Sequence, residues 1–321
     1  MAANQKTEKK KQNLLLSRFQ TELLLVVILL VLFAFFGMKS PVFFKVDTLM
    51  KLLKQASIYG IIAIGMTFVI TSSGIDLSVG SVVGLSGIVV SMCMVNGMPV
   101  LLAVVVAIAA SILVGVFNGV LVHDAKVPPF IATMASMTIV RNVILLMTGA
   151  KTISNLPKSF TAFAAGDFLG IPNMFLTWFG IIVLGIFITG RTVFGRNIYA
   201  YGSNKESARL SGINIRTTVY GVYVFSAIVC GIAGILMAAR LGNGVPTSGD
   251  GYELDAIAAS VVGGASLDGG EGSVIGTVLG AMIMATLRQG GTLLGINSFI
   301  MEIIIGSLIA VAVVIDKMRK R

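Results

Sequence analysis

Charged residues are scarce in this chain. They make up only 12% of its 321 residues, whereas 56% are hydrophobic. A soluble domain typically carries about 25% charged residues. The hydrophobic residues fall in blocks long enough to form membrane-spanning helices, which need roughly 20 residues. Most of these blocks lack the polar face that a helix packed on a soluble core would keep. The composition therefore indicates an all-α, polytopic membrane protein rather than a protein with a large soluble core.

Cysteine and histidine are almost absent, which excludes several kinds of site. Cys93 and Cys230 both lie in apolar runs, where packed cysteines behave as small hydrophobic residues. They provide neither a disulfide framework nor a metal-ligand spacing. The single histidine, His123, follows an apolar run, and an interfacial residue is more typical there than a ligand or a proton relay. No metal and no cofactor is expected.

Enzymatic and nucleotide-binding motifs are also missing. The Gly-rich segment GGASLDGGEG at 263–272 lacks the Lys-Ser/Thr ending of a nucleotide-binding loop. No nucleophile–base constellation is present. The chain itself is therefore expected to be neither an enzyme nor a nucleotide-binding protein.

The net charge of +10 is concentrated in three segments. Residues 1–22 carry a net +3, residues 191–216 a net +4 and residues 316–321 a net +3. Clustering in both tails and one loop is typical of the positive-inside bias of membrane proteins and does not indicate a nucleic-acid partner. We predict one transmembrane domain over 1–321, with cytoplasmic basic segments at 1–21, 191–216 and 316–321.

Ten membrane spans are predicted, an even number that keeps both tails inside. The first follows a basic region without a small-x-small cleavage site and is expected to remain uncleaved. The eighth is too short to cross alone, and the second and third are separated by only a few residues. Such breaks are tolerated only where protein buries them or where they line a watery cavity. The predicted spans are 22–38, 56–72, 77–95, 99–122, 130–149, 173–190, 217–239, 252–265, 272–289 and 297–315.

A separate amphipathic helix is expected before the second span. Asp47 can cap it, and its apolar positions, Leu49, Leu52, Leu53 and Ala56, follow helical spacing. Lysines at 51 and 54 then point away from this apolar face, so we expect the helix to lie on the outer membrane surface.

Acidic residues mark two of the breaks. TSSGIDLSVGSV at 71–82 holds Gly74, Asp76 and Ser78, and SGDGYELDAIAASVVGG at 248–264 holds Glu253 and Asp255. Asp76 either caps the third helix, whose dipole favours its charge, or lines a translocation path. The two aspartates are separated by an odd number of predicted spans. This relation predicts two inverted five-helix repeats with sites near discontinuous helices.

Three segments, in order and at family spacing, resemble the signature segments of ribose-type ABC importer permeases. They are GIDLSVGS (74–81), GRNIYAYGSNKESARLSGI (195–213) and GYELDAIAASVVGGASLDGGEGSVIGTVLGA (251–281). The resemblance covers nearly the whole chain. It implies an inner-membrane permease subunit for ribose or a related monosaccharide, acting as a homodimer. The implied partners are a tandem-fused cytoplasmic ABC ATPase, an extracytoplasmic sugar-binding protein and membrane lipid.

The second of these segments also predicts a short helix from its residues alone. Ser203 or Asn204 can cap it, with Glu206 in the first turn and Gly212 at its end. So short a helix is not stable without something to dock on. It either rests on lipid or, as the resemblance favours, enters an ATPase groove as a coupling helix. The predicted coupling residues are Ser203, Asn204, Glu206, Ala208, Arg209, Leu210 and Gly212.

Arg141 lies in the middle of the fifth predicted span. A charge there costs about 2.5–3.5 kcal/mol on insertion scales, so a partner is expected. We predict an Arg141–Glu302 pair or, failing that, Arg141–Asp255, which would lock the two halves together. Direct contact with the sugar is the alternative.

Two other function classes are compatible with the composition: an ion-coupled secondary transporter of a small polar solute, and a membrane enzyme. Ion coupling would use acids deep in the spans, and few are present. The capped cytoplasmic helix instead favours an external motor, as in an ABC importer.

Overall fold

The computed structural model describes residues 2–319, and within them the regular structure is thirteen α-helices, a π-helical turn and one short hairpin. The all-α prediction is confirmed. In chain order the elements are α1 (Ala2–Lys39), α2 (Val46–Thr71), α3 (Val79–Val95), α4 (Val100–Gly119) with the π-helical turn Val120–Asp124, α5 (Pro129–Thr148), α6 (Lys158–Ala165), β1 (Asp167–Phe168), β2 (Ile171–Pro172), α7 (Asn173–Arg191), α8 (Val193–Ser203), α9 (Lys205–Leu210), α10 (Ile215–Leu241), α11 (Tyr252–Val262), α12 (Val274–Leu293) and α13 (Ser298–Arg319).

Seven described helices are long and apolar enough to cross a membrane, which confirms the polytopic membrane prediction. They are Gln20–Lys39, Val46–Thr71, Val100–Asp124, Pro129–Thr148, Asn173–Arg191, Ile215–Leu241 and Ser298–Met318. The other three predicted spans correspond to α3, α11 and α12. Helix α3 has 17 residues and α11 only 11, fewer than the roughly 20 that a full crossing needs. The count of ten spans stays a prediction.

Helices α2 and α10 form the centre of the bundle. Their apolar stretches are 83% and 72% buried, against 28% or less for the other five. Both are apolar around most of their circumference, as helices enclosed by other helices are. Gly60 of α2 leaves the space that the Trp178 indole of α7 occupies. The remaining spans expose long apolar faces, which suit contact with lipid.

The central helices exchange partners between the two halves of the chain. Helix α2 packs against α11 and α12, whereas α10 packs against α3 and α4. Within each half the short helix also packs on the two spans that follow it, α3 on α4 and α5, and α11 on α12 and α13. Two related units would produce this pattern. Their arrangement as inverted five-helix repeats stays a prediction.

Hydroxyl groups and glycine residues allow this close packing. Thr67 of α2 bonds to Ser260 of α11 at 3.1 Å and to Thr277 of α12 at 2.6 Å. A Cβ at Gly234 of α10 would overlap a carbonyl oxygen of α3, and a Cβ at Gly280 of α12 would overlap one of α11. Small residues that admit close backbone approach are typical of helix contacts in membranes, where apolar burial gives no advantage over lipid.

The end of α2 begins the first break. Gly74 donates its N–H to the carbonyl of Val69 at 3.0 Å, and Ser73 donates to Ile70 at 2.8 Å, the pair of bonds that closes a Schellman motif. Ser73 takes the left-handed conformation, with a φ of 60°, that glycine usually occupies. The chain therefore turns out of the helix at a defined point.

Helix α2 also separates two faces of the bundle. Near its start Lys54 donates to the carbonyl of Ala165 at 3.1 Å, and at its end Thr71 accepts from Gly270 at 2.8 Å. Lys54 and Thr71 are about 25 Å apart along the axis of an α-helix. We call the side holding residues 150–172 the hairpin face and the side holding residues 191–216 the basic face.

Both ends of the membrane domain return to the basic face. Glu22 of α1 accepts from Ser273 at 2.8 Å, and Asp316 of α13 accepts from Ser266 at 3.1 Å. Lys317 pairs with Asp268 at 2.5 Å. These contacts bring Glu22, Asp316 and Lys317 to the side that holds residues 191–216, and the cytoplasmic placement of the basic segments stays a prediction.

The separate amphipathic helix on the outer surface is a wrong prediction. Residues 46–55 are the first turns of α2, which runs unbroken to Thr71. Leu52 is buried against Phe36 and Phe43, so the apolar spacing reflects packing on α1 and not on lipid headgroups. Lys51 pairs with Asp47 on the exposed side at 2.6 Å, and the N-cap residue of α2 is Lys45, which makes no side-chain cap bond.

Three backbone segments cross on the basic face at one glycine junction, formed by Thr71, Gly202 and Gly270. A Cβ at Gly202 would overlap the Thr71 carbonyl and would lie 2.7 Å from the Gly270 nitrogen. A Cβ at Gly270 would lie 2.9 Å from the Cα of Ser203. The junction thus joins the end of α2, the end of α8 and the loop 263–273.

Replacing Gly202 by alanine should destabilise the protein by about 1–3 kcal/mol, since the added methyl group has no space and the backbone must move. The measurement is the thermal unfolding midpoint of the purified protein in detergent. Gly180→Ala on α7 is the matched control, because nothing lies within 4 Å of the added methyl. Gly180→Ala should leave the midpoint unchanged or raise it, because glycine inside a helix is less stable than alanine. Equal midpoints for the two variants would contradict the junction.

Candidate functional site

The two predicted helix breaks lie against one another inside the bundle. Gly80 at the start of α3 and Gly249 before α11 pack so closely that a Cβ on either would overlap the carbonyl oxygen of the other. The Glu253 carboxylate, half-buried, lies against the same face of Gly80. Helix starts that meet in this way bring unpaired backbone N–H groups together, as discontinuous helices do in transporters.

Asp76 holds the first break from within. It is 2% exposed, and its Oδ1 accepts from the backbone N–H of Ser78 at 2.9 Å and from the Ser78 hydroxyl at 2.5 Å. Ser226 of α10 donates to Oδ2 at 3.4 Å. Asp76 therefore bonds the backbone just before α3, whose N-cap residue is Ser78 and which has no side-chain cap bond. Its partners are hydroxyl and backbone groups.

Small polar residues extend this network to α4 and α5. Asn118 donates to the Ser78 hydroxyl at 2.8 Å, and Ser136 donates to the side-chain oxygen of Asn118. Thr133 donates to the carbonyl of Ile75 at 3.1 Å and accepts from the N–H of Leu77 at 3.1 Å. Sequence reasoning missed these side chains. The available signal was a serine, threonine or asparagine inside an apolar helix, where such groups bond across helices.

The predicted partners of Arg141 are wrong. Arg141 pairs with Asp250 at 2.7 Å and donates to the carbonyls of Pro246 and Ser248 at 3.1 and 2.9 Å. It is part-buried, and its contacts fix the loop 242–251 against α5. The physical reason for the error is that this loop folds back into the bundle and supplies both backbone and carboxylate acceptors at the depth of Arg141.

Glu302 and Asp255 instead share Arg288 of α12. The guanidinium lies 2.8 Å from Asp255 and 2.8 Å from Glu302. Asp255 is buried and Glu302 is 60% exposed, so the first contact is an interior ion pair and the second a peripheral one. Tyr59 of α2 places its ring 5.8 Å from the guanidinium. Sequence reasoning took Arg141 and Glu302 as the intramembrane charges and missed Arg288, although it lies near the end of the ninth predicted span.

The two breaks are thus held by different chemistry. Neutral hydroxyl and amide groups surround Asp76 in the first half, whereas a guanidinium binds Asp255 in the second half. In both cases a residue on the central helix of the other half completes the contact, Ser226 for Asp76 and Tyr59 for the Arg288 cluster. The breaks and the central helices are therefore bound into one unit.

The predicted short helix on the basic face is present as α9. Asn204 caps it, accepting from the N–H of Ser207 at 2.8 Å, and Ser203 ends the preceding helix. Arg209 binds Glu206 at 2.6 Å, and this hydrogen bond lowers the pKa of the Glu206 carboxyl. A φ of 78° at Gly212 follows the helix end.

Two of the predicted coupling residues differ in accessibility. Leu210 is 76% exposed, whereas Ala208 is buried within the chain. The expectation that Ala208 itself contacts a partner needs correction, because its methyl group is already covered. Ala208 faces the protein interior, and Leu210 forms the exposed apolar surface of α9.

Comparison with known proteins identifies relatives over most of the chain. Residues 48–314 match the family described as branched-chain amino acid transport system / permease component. The ribose import permease of Haemophilus influenzae is 39% identical over 310 residues, covering 95% of each chain. That of Bacillus subtilis is 39% identical over 280 residues, covering 87% of each chain. The xylose transport permease of Escherichia coli is 34% identical, covering 94% of this chain and 93% of its own. No solved structure matches.

Arg288→Met should cost about 3–5 kcal/mol of stability, because it leaves Asp255 buried without its partner. Adding Asp255→Leu should recover much of this loss. Thermal unfolding midpoints of the single and double variants in detergent give the coupling. Arg141→Met combined with Glu302→Gln is the control pair, and its losses should add because the two side chains have separate partners. Coupling in the control pair, or additivity in the first, would contradict this assignment.

Proposed function

The chain belongs to the family of ribose-type ABC importer permeases, and from this membership we propose that it moves a monosaccharide across the inner membrane beside the meeting point of its two helix breaks. It is a multi-pass permease subunit and not an enzyme, since ATP hydrolysis belongs to a separate subunit. The observation that carries the proposal is the contact of Gly80 with Gly249, because a solute path needs a place inside the bundle where helices stop.

The proposed solute is ribose or a related monosaccharide. The relatives named above carry ribose and xylose in their names. Carboxylates and hydroxyls, the groups that best bond sugar hydroxyls, are gathered at both breaks. In this assignment Gly74, Asp76 and Ser78 shape the first break, and Glu253 and Asp255 the second.

Import energy is proposed to enter through α9. An exposed leucine on a surface outside the bilayer gains stability when another protein covers it. Asn204 and Glu206 order the helix that presents Leu210, so little ordering is left to be done on binding. Helix α9 starts three residues after Gly202, so displacement of α9 reaches the end of α2 and the first break through the glycine junction.

The proposed partners follow from the same faces. A cytoplasmic ABC ATPase, tandem-fused, would cover the basic face, and an extracytoplasmic sugar-binding protein would dock on the hairpin face. Two copies of this permease would form a homodimer in the membrane lipid. This arrangement places both termini in the cytoplasm, in line with the positive-inside bias.

The orientation can be tested by cysteine labelling in intact cells. Ser203 and Ser159 are both exposed, on the basic and hairpin faces respectively. In a chain with Cys93 and Cys230 replaced by alanine, Ser159→Cys should react with a membrane-impermeant maleimide, and Ser203→Cys only after permeabilisation. Reaction at position 203 alone in intact cells would overturn the orientation.

Leu210→Asp should reduce co-purification of the ATPase by roughly tenfold or more, because a charge would enter the centre of the contact. Leu169→Asp is the matched control, since Leu169 is 87% exposed in the hairpin on the other face. Both variants should reach the membrane at the level of the parent. Unchanged ATPase recovery with Leu210→Asp would remove α9 from the docking surface.

A further inference from the structure

A polar cavity opens on the hairpin face between α2, α12 and the start of α13. It has a volume of about 130 Å³. Its polar lining comes from Gln55, Tyr59, Arg288, Thr292 and Ser298. The loop that joins α12 to α13 forms its rim, so the cavity is reached from the side on which we place the sugar-binding protein. A polar lining of this kind suits water or a hydrophilic solute and not a lipid chain.

The hydrogen-bonding groups in the lining are incompletely used. Gln55 makes only a long contact, 3.4 Å, from its amide to the Tyr59 hydroxyl. This amide therefore keeps hydrogen-bonding capacity that a bound hydroxyl can use. The Nε–H of Arg288 has no hydrogen-bond partner among residues 2–319, but it is buried and closed off from the cavity.

The charges around the cavity select against anions. Arg288 lies between Asp255 and Glu302, so its positive charge is already compensated and offers little to an anion. A neutral molecule rich in hydroxyl groups does not meet this repulsion. Tyr59 adds an aromatic surface, and Ile296 and Met301 add apolar contact for a C–H face.

The volume narrows the ligand class further. Sites for drug-sized molecules are about 300–1,000 Å³. A cavity of about 130 Å³ holds roughly four water volumes. It is too small for a nucleotide or a peptide, and a monosaccharide would enter it in part, with the rest of the ring at the open mouth.

We propose that this cavity is an outer sugar-binding subsite, where a monosaccharide released by the binding protein first contacts the permease. The inference rests on the proposed function and adds a site to it. Arg288 connects the subsite to the second break, since the guanidinium that lines the cavity also binds Asp255 in the first turn of α11. A sugar in the cavity is thus separated from the second break by the Arg288 side chain alone.

The test uses the complete importer in proteoliposomes, with binding protein loaded with D-ribose or D-xylose, and measures sugar moved per ATP hydrolysed. Ser298→Phe fills the cavity mouth and should lower sugar per ATP by roughly tenfold, while the ATPase rate stimulated by the binding protein is retained. Ser298→Thr keeps the hydroxyl and should keep the parent ratio. Thr177→Phe, at the hairpin-face end of α7 and outside the cavity, is the matched control for added bulk.

Gln55→Leu is the second variant, which removes hydrogen-bonding groups with little change of volume. It should lower sugar per ATP by about threefold. If Ser298→Phe lowers both sugar uptake and the ATPase rate, the variant has lost more than the subsite, and the result for Gln55→Leu alone tests the proposal. An unchanged ratio in Gln55→Leu, or in a well-folded Ser298→Phe, overturns the subsite. Failure of the parent importer to move either sugar would instead contradict the proposed function.

Discussion

A backbone that leaves its helix inside a membrane must find hydrogen-bond partners in the protein, because lipid offers none. Most of the unusual features of this chain meet that requirement. The first break is closed by a Schellman motif and by the Asp76 and Thr133 bonds, and carbonyl groups of the second break accept hydrogen bonds from Arg141. The glycine contacts between the breaks let the two backbones pack directly against each other, since no side chain intervenes.

The same requirement accounts for where charge is found. Asp255 and Arg141 carry charge into the bundle, and each has an oppositely charged partner. Their partners differ in burial, and so do their roles. The Arg288–Asp255 pair is an interior contact that joins α11 to α12, whereas Arg141 grips a loop whose own carboxylate is 59% exposed. The second half of the protein is therefore held by ion pairs at places where the first half uses neutral groups.

Sequence reasoning located the helices and breaks well, because both leave local signals. Apolar blocks mark spans, and Gly, Ser and Asp clusters mark where they stop; α9 with its Asn204 cap was equally local. Partner choice was not local. The predicted Arg141–Glu302 pair is wrong because the partner of Arg141, Asp250, lies on a loop that has no periodic sequence pattern. The prediction for Ala208 is wrong because the sequence does not distinguish a buried alanine from an exposed one. The sequence did not predict that residues 46–55 belong to α2, because the exposed charges of Lys51 and Asp47 are equally typical of a helix on the membrane surface.

The packing of α2 has a consequence for biosynthesis. Thr67 bonds to Ser260, which lies 193 residues later in the chain. At about 5–20 residues per second, roughly 10–40 s pass before the ribosome supplies that partner. During this interval α2, the most enclosed helix of the finished protein, lies in the membrane with its hydroxyl groups and glycine surfaces not yet covered by partner helices. A half-made chain therefore presents to the insertion machinery and to membrane proteases a surface that the completed protein never shows.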